Sequence, residues 1–581
     1  MNTTLGGVHN SSNASTLNTG TNGTVTPNIS GVTETITSDD AAWILSCGFL
    51  ILTMQTGFAM LECGCVSSKN VANIMIKNVV DVCLGGLSYW MFGYALSFGV
   101  PSTQFFGYGD YFYQTRSEAS IGTSYSKYFF QFSFATTATT IVSGAVAERM
   151  KLSAYMCFSF FNTVVYCIPA SWAWNSGGDG ETGGWLFRMG FFDFAGVCVV
   201  HLTGGVSALV AASMLGPRSD RFKAPEKFEM SSPVTSLTGM FMLWWAWLGF
   251  NCGSTFGVAG LLWQYAALVS VTTLNGAIGG GLAGLGISMT MKNGKISIDY
   301  VINSVLGGLV GITGIAPVTS PRDALVIGTV GGIIAVAGVP LLERFRIDDP
   351  VGAIPVHCIA AIWGTLAIGI FGYNNSLDML GGRHGLIYGG GFALLAVQVA
   401  GTLAIFGWSL VMTFIQLGLI DKFIGLRMTE EDEMLGADWC EHEVFSDNVY
   451  DRLKQTLASI DQTSWNHVFQ KLNDEINAVS TVAIDTHRTY GSHKHNELQV
   501  LEKALSGIME PSPTALLLAV PHGSEMSVVQ NSSSPRKQGL NESAHDRQGE
   551  IALKNVANVQ KSYATRSAHT EVTQTDRDTT A

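Results

Sequence analysis

The chain contains eleven apolar runs, each long enough to cross a lipid bilayer as a helix of about 20 residues. Only helices and closed barrels satisfy all of their backbone hydrogen bonds inside a bilayer. The runs therefore predict an all-α polytopic membrane protein rather than a set of soluble domains. The predicted spans are 41–63, 72–99, 128–148, 152–174, 190–215, 232–256, 260–290, 299–318, 324–342, 351–373 and 388–420.

Composition agrees with this fold class and excludes several kinds of function. Only 13% of the 581 residues are charged, about half of what soluble domains carry. No basic stretch could neutralise a phosphate backbone, so nucleic acid is not a predicted partner. The sequence has no nucleotide-binding loop, hydrolase motif or trusted metal-ligand spacing, so we predict that it is not an enzyme and has no cofactor.

The Lys and Arg residues between the spans predict the orientation of the bundle, because cytoplasmic loops carry the excess of positive charge. One set of loops holds eleven basic residues and the other holds five. The richer set is Lys69, Arg149, Lys151, Arg218, Arg221, Lys223, Lys227, Lys292, Lys295, Arg344 and Arg346. The N-terminus is therefore expected outside and the C-terminus inside, since the number of spans is odd.

The two ends of the chain differ from the middle. Residues 1–40 form a polar, predicted extracellular tail with five potential glycosylation triplets, which begin at Asn2, Asn10, Asn13, Asn22 and Asn28. Residues 41–426 form the eleven-helix domain. Residues 427–510 are predicted to be a partly helical cytoplasmic region, and 511–581 a disordered tail.

Two histidines lie deep within predicted spans, where ionisable groups are costly unless they face a cavity or a partner. His201 and His357 each follow an acid by eight residues, Asp193 and Asp349, in spans five apart. This recurrence predicts an inverted repeat of spans 1–5 and 6–10, followed by a final helix. Each histidine lies about 12 Å along its helix from its acid, so both are expected near the bilayer midplane as a facing pair that shares a proton.

Aromatic residues gather at the predicted outer ends of spans 3, 4 and 6. Phe130 and Phe134 are four residues apart on one helical face, and Trp174 and Ser254 are expected at a similar depth. Ring faces attract a cation by about 1–2 kcal/mol each when partly desolvated, and a hydroxyl accepts a hydrogen bond from it. This cluster therefore predicts a binding site for a small cation.

The features together fit ammonium. The rings stabilise the ion at the mouth, whereas a bare ion would pay a large desolvation penalty in the apolar pore below. Loss of a proton gives neutral ammonia, which crosses at a much lower cost, and the histidine pair could then relay the proton.

In several segments the sequence resembles the Amt/Mep/Rh ammonium transporters, and within them the Amt branch. The resemblance covers about 41–443. The segments that carry it are GFAMLECGCVSSKN at 57–70, GGLSYWMFGYALSFG at 85–99, GAVAERM at 144–150, DFAGVCVVHLTGG at 193–205, WLGFNCGS at 247–254 and DDPVGAIPVHCIAAIWG at 348–364.

The resemblance implies roles for individual residues. Phe130, Phe134, Trp174 and Ser254 match the outer recognition site, which Asp193 shapes, and Phe134 with Phe250 matches the gate beneath it. His201 and His357 match the twin-histidine pair, and Gln131 and Trp247 match pore-lining positions. It further implies a homotrimer, and Gly436 matches a glycine of the C-terminal region that couples subunits. Asp438 and His442 also fit that region, but Cys440 stands where plant relatives carry a regulatory threonine.

The leading hypothesis is therefore an electrogenic ammonium transporter of the plasma membrane, with methylammonium as a substrate analogue. Two alternatives stay open. One is an electroneutral channel for ammonia or carbon dioxide, of the Rh type. The other is an ammonium sensor that signals through its long cytoplasmic tail, whose partner the sequence does not identify.

Overall fold

A computed structural model describes residues 36–115, 118–177, 182–225 and 228–444 of the chain. The predicted glycosylation triplets, the helical pattern expected at 448–480 and the segment 511–581 lie outside these residues. Within them the fold is helical, without a β-strand. The main helices are α1 Ser38–Cys65, α2 Ser68–Phe98, α3 Ile121–Ala145, α4 Leu152–Trp174, α5 Val197–Leu215, α6 Pro233–Gly253, α7 Leu262–Met291, α8 Ile298–Thr313, α9 Pro321–Arg344, α10 Pro355–Phe371 and α11 Ala393–Phe423.

Length and apolar composition qualify seven of these helices as candidate membrane spans: α1, α2, α4, α5, α7, α9 and α11. The shorter helices α8 and α10 are also apolar. Helices α3 and α6 occupy the two remaining predicted ranges. The chain thus has several apolar membrane helices, whereas the count of eleven crossings and the side on which each terminus lies stay predictions.

Some helix boundaries differ from the sequence prediction for identifiable reasons. Helix α3 begins at Ile121 rather than near 128, because its first two turns are polar and continue the helix beyond the apolar run. Helix α5 begins at Val197 rather than at 190, because Asp193 accepts hydrogen bonds from the first free amides of the helix and so ends the preceding irregular segment. A carboxylate that accepts from the free amides at a helix start stabilises that helix.

The packing of helices α1–α5 is repeated by helices α6–α10. Helix α3 packs against α1 and α5, and α8 packs in the same way against α6 and α10. The two sets meet where α1 contacts α6 and where α5 contacts α10. Helix α11 lies outside this pairing, against α4, α5 and α10. The offset of five helices is the one that the repeated acid–histidine pattern predicts.

Both α5 and α10 open with wider, π-helical turns, at Val197–Leu202 and Pro355–Ile359. Single π-turns are uncommon and concentrate at functional positions. Each of these two turns contains one histidine of the predicted pair. The segment that precedes each turn has the same form, with an acid followed three residues later by a glycine, Gly196 or Gly352, at positive φ.

The described end of the chain folds back onto one end of the helix bundle. Two short helices follow α11, α12 Glu430–Leu435 and α13 Ala437–His442. They lie against the start of α2 and the start of α4. We call this end, which also carries Lys69 and Arg149, the tail side. The opposite end, which carries Phe130 and Trp174, is the mouth side.

Candidate functional site

The predicted aromatic residues of the mouth side come together in the structure. The ring centroids of Phe130 and Phe134 are 4.9 Å apart, and the ring of Trp174 meets Phe134 edge-on at 6.0 Å. Phe130 and Phe134 are almost fully buried. Spacing of four residues on α3 places both rings on one face, and α4 delivers Trp174 from its last turn. The cluster therefore gathers three aromatic rings at the mouth side.

Phe134 also packs against Phe250 of α6. Their rings stack with centroids 4.0 Å apart and planes 8° from parallel. Such close stacking leaves no room for an ion or a water molecule between the rings. The arrangement matches the predicted gate, and passage requires at least one ring to turn aside.

Ser254 lies at the C-terminal end of α6 in the same region. Its hydroxyl donates to the carbonyl of Phe250 at 2.9 Å, which fixes the direction of its proton. The lone pairs of the hydroxyl oxygen stay available as acceptors. An ammonium N–H that approaches this oxygen would find an acceptor rather than a competing donor.

Asp193 lies three residues before Gly196, the N-cap residue of α5, and its side chain caps the start of that helix. Its two carboxylate oxygens accept hydrogen bonds from the amides of four consecutive residues, Gly196 to Val199, at 2.8–3.0 Å. Its own carbonyl accepts a hydrogen bond from the indole of Trp174 at 2.7 Å. Asp193 thus positions the recognition tryptophan through its backbone, while its charge is committed to the helix start. This geometry supports the shaping role rather than direct contact with a substrate.

The structure brings His201 and His357 together. Their Nδ1 atoms are 3.2 Å apart, and their ring centroids are 5.2 Å apart. One Nδ1 must donate and the other must accept, so one proton lies between the two rings. Both side chains are buried, and Nε2 of His201 has no hydrogen-bond partner among the residues that the structure describes. The pair therefore leaves one buried ring nitrogen that no described side chain or backbone group satisfies.

Aromatic rings pack between the histidine pair and the stacked rings of Phe134 and Phe250. Trp247 stacks on His201 at 4.9 Å, and Phe250 of the gate lies 5.5 Å from the same ring. The indole of Trp247 donates to Thr313 of α8 at 2.8 Å, which fixes its orientation. Gln131 is buried one residue after Phe130, and its side-chain carbonyl is without a partner.

Asp349 repeats at the tail side what Asp193 does at the mouth side. Its carboxylate accepts from the amides of Val351, Gly352 and Ile354 at 3.4, 3.1 and 2.6 Å. The preceding residue, Asp348, is instead part of an ionic network with Arg218. The acid at the same place in each repeat therefore has the same structural task in different surroundings.

The ionic network on the tail side is buried. Arg218 pairs with Glu148 at 2.6 Å and with Asp348 at 2.8 Å. Burial by itself would raise the pKa of Asp348, but the neighbouring Arg218 outweighs it and lowers that pKa to about 2. Burial alone would lower the pKa of Arg218, and its two carboxylate partners raise it instead.

The C-terminal segment supplies caps to two helices of the bundle. The carboxylate of Asp438 accepts from the amides of Ala72 and Asn73, at the start of α2. Glu441 accepts from the amide of Leu152, at the start of α4. Nε2 of His442 lies 3.2 Å from the side-chain nitrogen Nδ2 of Asn73.

Gly436 lies between the two short helices of this segment, with φ +107°. A Cβ there would fall 2.6 Å from both the Cβ and the carbonyl oxygen of Lys69. Lys69 also donates to the carbonyl of Met434 at 2.8 Å. Glycine is therefore required both by the backbone conformation and by the close approach of Lys69.

Sequence reasoning missed several residues of the path. Phe256 meets Phe130 edge-on at 5.1 Å, and Phe58 lies 6.0 Å from His357. Glu62 lines a cavity beside His357. An aromatic ring in an apolar run carries no distinguishing signal, but an acid in such a run does, and Glu62 could have been found in that way.

The chain is similar to known proteins over the region that contains this site. The model of the Ammonium Transporter Family matches residues 42–446. The putative ammonium transporters 3 and 2 of Caenorhabditis elegans are 42% and 39% identical over 440 and 434 residues. These alignments cover 74% and 71% of this chain, and 62% and 83% of the two relatives.

Solved structures agree. A structure named Sensor Amt Protein is 31% identical, with a TM-score of 0.63, and the likeness covers 70% of this chain and 98% of that one. The family model matches most of the chain, and the solved structure shares its fold. The chain belongs to the ammonium transporter family, in its Amt branch.

Proposed function

We propose that this chain moves ammonium across the plasma membrane by binding the ion at the mouth side, removing a proton, and conducting ammonia and the proton past the histidine pair. The observation that carries the proposal is the 3.2 Å contact between the Nδ1 atoms of His201 and His357, directly below the stacked phenylalanines. In this proposal the N-terminus lies outside, the C-terminus lies inside, and three copies of the chain form the working assembly.

The mouth-side cluster selects a small cation that donates hydrogen bonds. The ring faces of Phe130 and Trp174 stabilise positive charge, and the oxygen of Ser254 accepts one N–H bond. Asp193 is too fully occupied by backbone amides to bind the ion directly, but its negative charge lies at the same level and favours cations there.

Below this cluster, the path favours a neutral molecule. The stacked rings of Phe134 and Phe250 and the apolar wall around them offer no groups to replace the water shell of an ion. Ammonia has no charge to desolvate. Deprotonation at or above the gate therefore lowers the barrier for nitrogen, and the proton needs a separate carrier.

The histidine pair can act as that carrier. With one proton held between the two Nδ1 atoms, one ring has a bare Nε2 that can accept a second proton. Transfer of the shared proton then frees the other ring to release a proton at its own Nε2. Charge crosses the midplane in this way without an ion entering the apolar section, so transport is electrogenic.

The test is voltage clamp on cells that express the chain, with ammonium and methylammonium applied at two external pH values. A saturable inward current that follows ammonium rather than ammonia supports the proposal. Replacing both His201 and His357 by leucine should lower the current about 100-fold, the low end expected for loss of a positioned proton-transfer group. His384→Leu, the same change outside the pore, serves as the control.

Two other outcomes would change the conclusion. Ammonia flux without current would replace the proposal by an electroneutral channel. Unchanged current in a folded double-histidine variant would remove the relay role of the pair.

A sensor role is a second candidate, because the likeness includes a structure named Sensor Amt Protein and because the C-terminal segment caps α2 and α4. Deletion of residues 450–581 separates the two. A protein that is only a transporter keeps its uptake rate after this deletion. A sensor loses its downstream signal, whether or not uptake remains.

A further inference from the structure

A small cavity lies on the tail side of the histidine pair. It has room for about one molecule the size of water or ammonia. Its wall is apolar except for two ionisable side chains, His357 and Glu62. The residues that line it are Phe58, Leu61, Glu62, Ile141, Leu306, Val351, Gly352, Ala353, Val356 and His357.

Glu62 is an acid at a position where a charge is expensive. It lies one turn before the end of α1, and only 1% of its surface is exposed. Oε2 accepts a hydrogen bond from Asn78 at 2.8 Å, and Oε1 accepts one from the hydroxyl of Ser143. These partners hold the carboxyl in place without neutralising it.

The backbone of Gly144 packs closely against the carboxyl of Glu62. A Cβ on Gly144 would lie 3.1 Å from Oε1 of Glu62 and 2.3 Å from a methyl carbon of Val351. Any larger residue at Gly144 would therefore push Val351 or the carboxyl out of place. Glycine at this position allows Val351 and Glu62 to line the same cavity.

Glu62 has two charged neighbours of opposite sign. They are Lys77 and Asp81 of α2, and Asp81 accepts a hydrogen bond from Tyr155 of α4 at 2.7 Å. Lys77 donates to the carbonyl of Met150 at 3.2 Å. Two carboxyls and one ammonium give a buried group that is neutral only when one proton is bound to a carboxyl. A proton that arrives at Glu62 therefore removes an excess charge.

We propose that Glu62 is the group that exchanges protons with the histidine pair on the tail side, across the cavity that it shares with His357. This inference rests on the proposed function, because it needs a proton to arrive at the pair.

The transfer balances without any further reactant. An N–H bond at His357 breaks as an O–H bond forms at Glu62, directly or through the single small molecule that fits the cavity. The O–H bond then breaks, and an N–H bond forms on ammonia as it leaves, which gives ammonium. No electron transfer is involved, and Glu62 returns to the carboxylate.

The test is Glu62→Gln, measured as the ratio of charge moved to methylammonium taken up in the same cells. Glutamine has the shape of glutamate. It can accept from Ser143 and donate to Asn78, whose own side-chain carbonyl has no other partner and can turn toward it. We expect uptake to persist and the charge-to-uptake ratio to fall about 100-fold, the low end for loss of a positioned proton-transfer group. Glu62→Asp, which keeps a carboxyl, should restore much of the ratio.

Controls separate this role from structural and general charge effects. Glu343→Gln makes the same chemical change on the tail side, outside the cavity, and should leave the ratio at the wild-type value. Val351→Ile adds one methylene to the cavity wall while leaving Glu62 and its partners in place, and should lower the ratio even if Glu62→Gln fails to reach the cell surface.

Two results would overturn the inference in distinguishable ways. A wild-type chain that takes up methylammonium without current would remove the proposed function and this inference with it. A wild-type current together with an unchanged ratio in Glu62→Gln, or in Val351→Ile when the glutamine variant is absent from the surface, would remove the role of Glu62 alone.

Discussion

The segments that lead into α5 and α10 have the same design but different surroundings. In each, an acid caps the helix, a glycine three residues later takes a positive φ, and a histidine follows in a π-helical turn. Asp193 adjoins an aromatic cluster through Trp174, whereas Asp349 adjoins the buried ionic network of Asp348 and Arg218.

The difference shows what the repeat fixes and what it leaves free. The cap, the glycine and the wide turn set the direction of each histidine, and they are present in both halves. The neighbouring side chains vary, with rings where a cation is proposed to be recognised and ion pairs where the C-terminal segment docks. Three predictions test this division, from the largest expected effect to the smallest.

The first prediction compares the two caps. Asp193→Ala should destabilise the protein by roughly 4 kcal/mol or more, because each of four buried amides loses its partner at about 1–3 kcal/mol. Asp349→Ala should have a smaller effect, since it frees three amides, one of which is bonded at 3.4 Å. Melting temperatures of the purified variants in detergent measure both. Equal losses, or a larger loss for Asp349→Ala, would contradict the comparison.

The second prediction concerns the ionic network. Arg218→Met should cost about 3 kcal/mol, because it leaves Glu148 and Asp348 buried without their common cation. Lys223→Met is the matched control on the same loop. Its partner is Asp220 and its side chain is 85% exposed, so the change should be small. Denaturation in detergent compares the two variants, and similar losses would mean that the network does not stabilise this face.

The same network predicts an acid-sensitive stability. The folded pKa of Asp348, about 2, lies below the value of about 3.9 for an unfolded aspartate, so folding favours the carboxylate. Its contribution is fully present above about pH 4 and is lost as the pH falls through the folded pKa. A pH series of melting temperatures should show this decline in the wild type and a weaker one in Arg218→Met.

The third prediction concerns the docked C-terminal segment. Gly436→Ala should detach it, since the added Cβ would fall 2.6 Å from the backbone and side chain of Lys69 and φ is unfavourable for alanine. Hydrogen exchange of residues 430–442 should accelerate while the melting temperature of the bundle changes little. Gly418→Ala adds a methyl group in open space on α11 and should leave both unchanged. Normal protection in Gly436→Ala would show that the contact can adjust.

The sequence predicted the helical fold well because the bilayer length and the apolar runs constrain it strongly. Every predicted span contains a helix in the structure. Boundaries were less accurate at α3 and α5, where polar residues continue a helix or a distant carboxylate ends an irregular segment. Such effects depend on hydrogen bonds that hydrophobic periodicity does not report.

The structure also brings the predicted site residues together, and a different sequence signal pointed to each group of them. His201 and His357 stand out as ionisable groups in apolar spans and as a repeated pattern. Phe130 and Phe134 share a helical face. The stacking of Phe134 on Phe250 joins two helices far apart in sequence, and only the resemblance pointed to it. Glu62 is also an ionisable group in an apolar span, but Asn70 rather than a histidine follows it by eight residues, so the repeated pattern does not include it.

The stacked rings of Phe134 and Phe250 also bear on which ions the proposed path could carry. With 4.0 Å between centroids, no water molecule fits between these two rings. Under the proposed function, sodium and potassium, which keep their hydration shells and cannot give up a proton, meet a hydrocarbon barrier here rather than a charge filter. Exclusion of the abundant cations would then follow from deprotonation, which only a protonated nitrogen can undergo, and the membrane potential would not be short-circuited when ammonium is scarce.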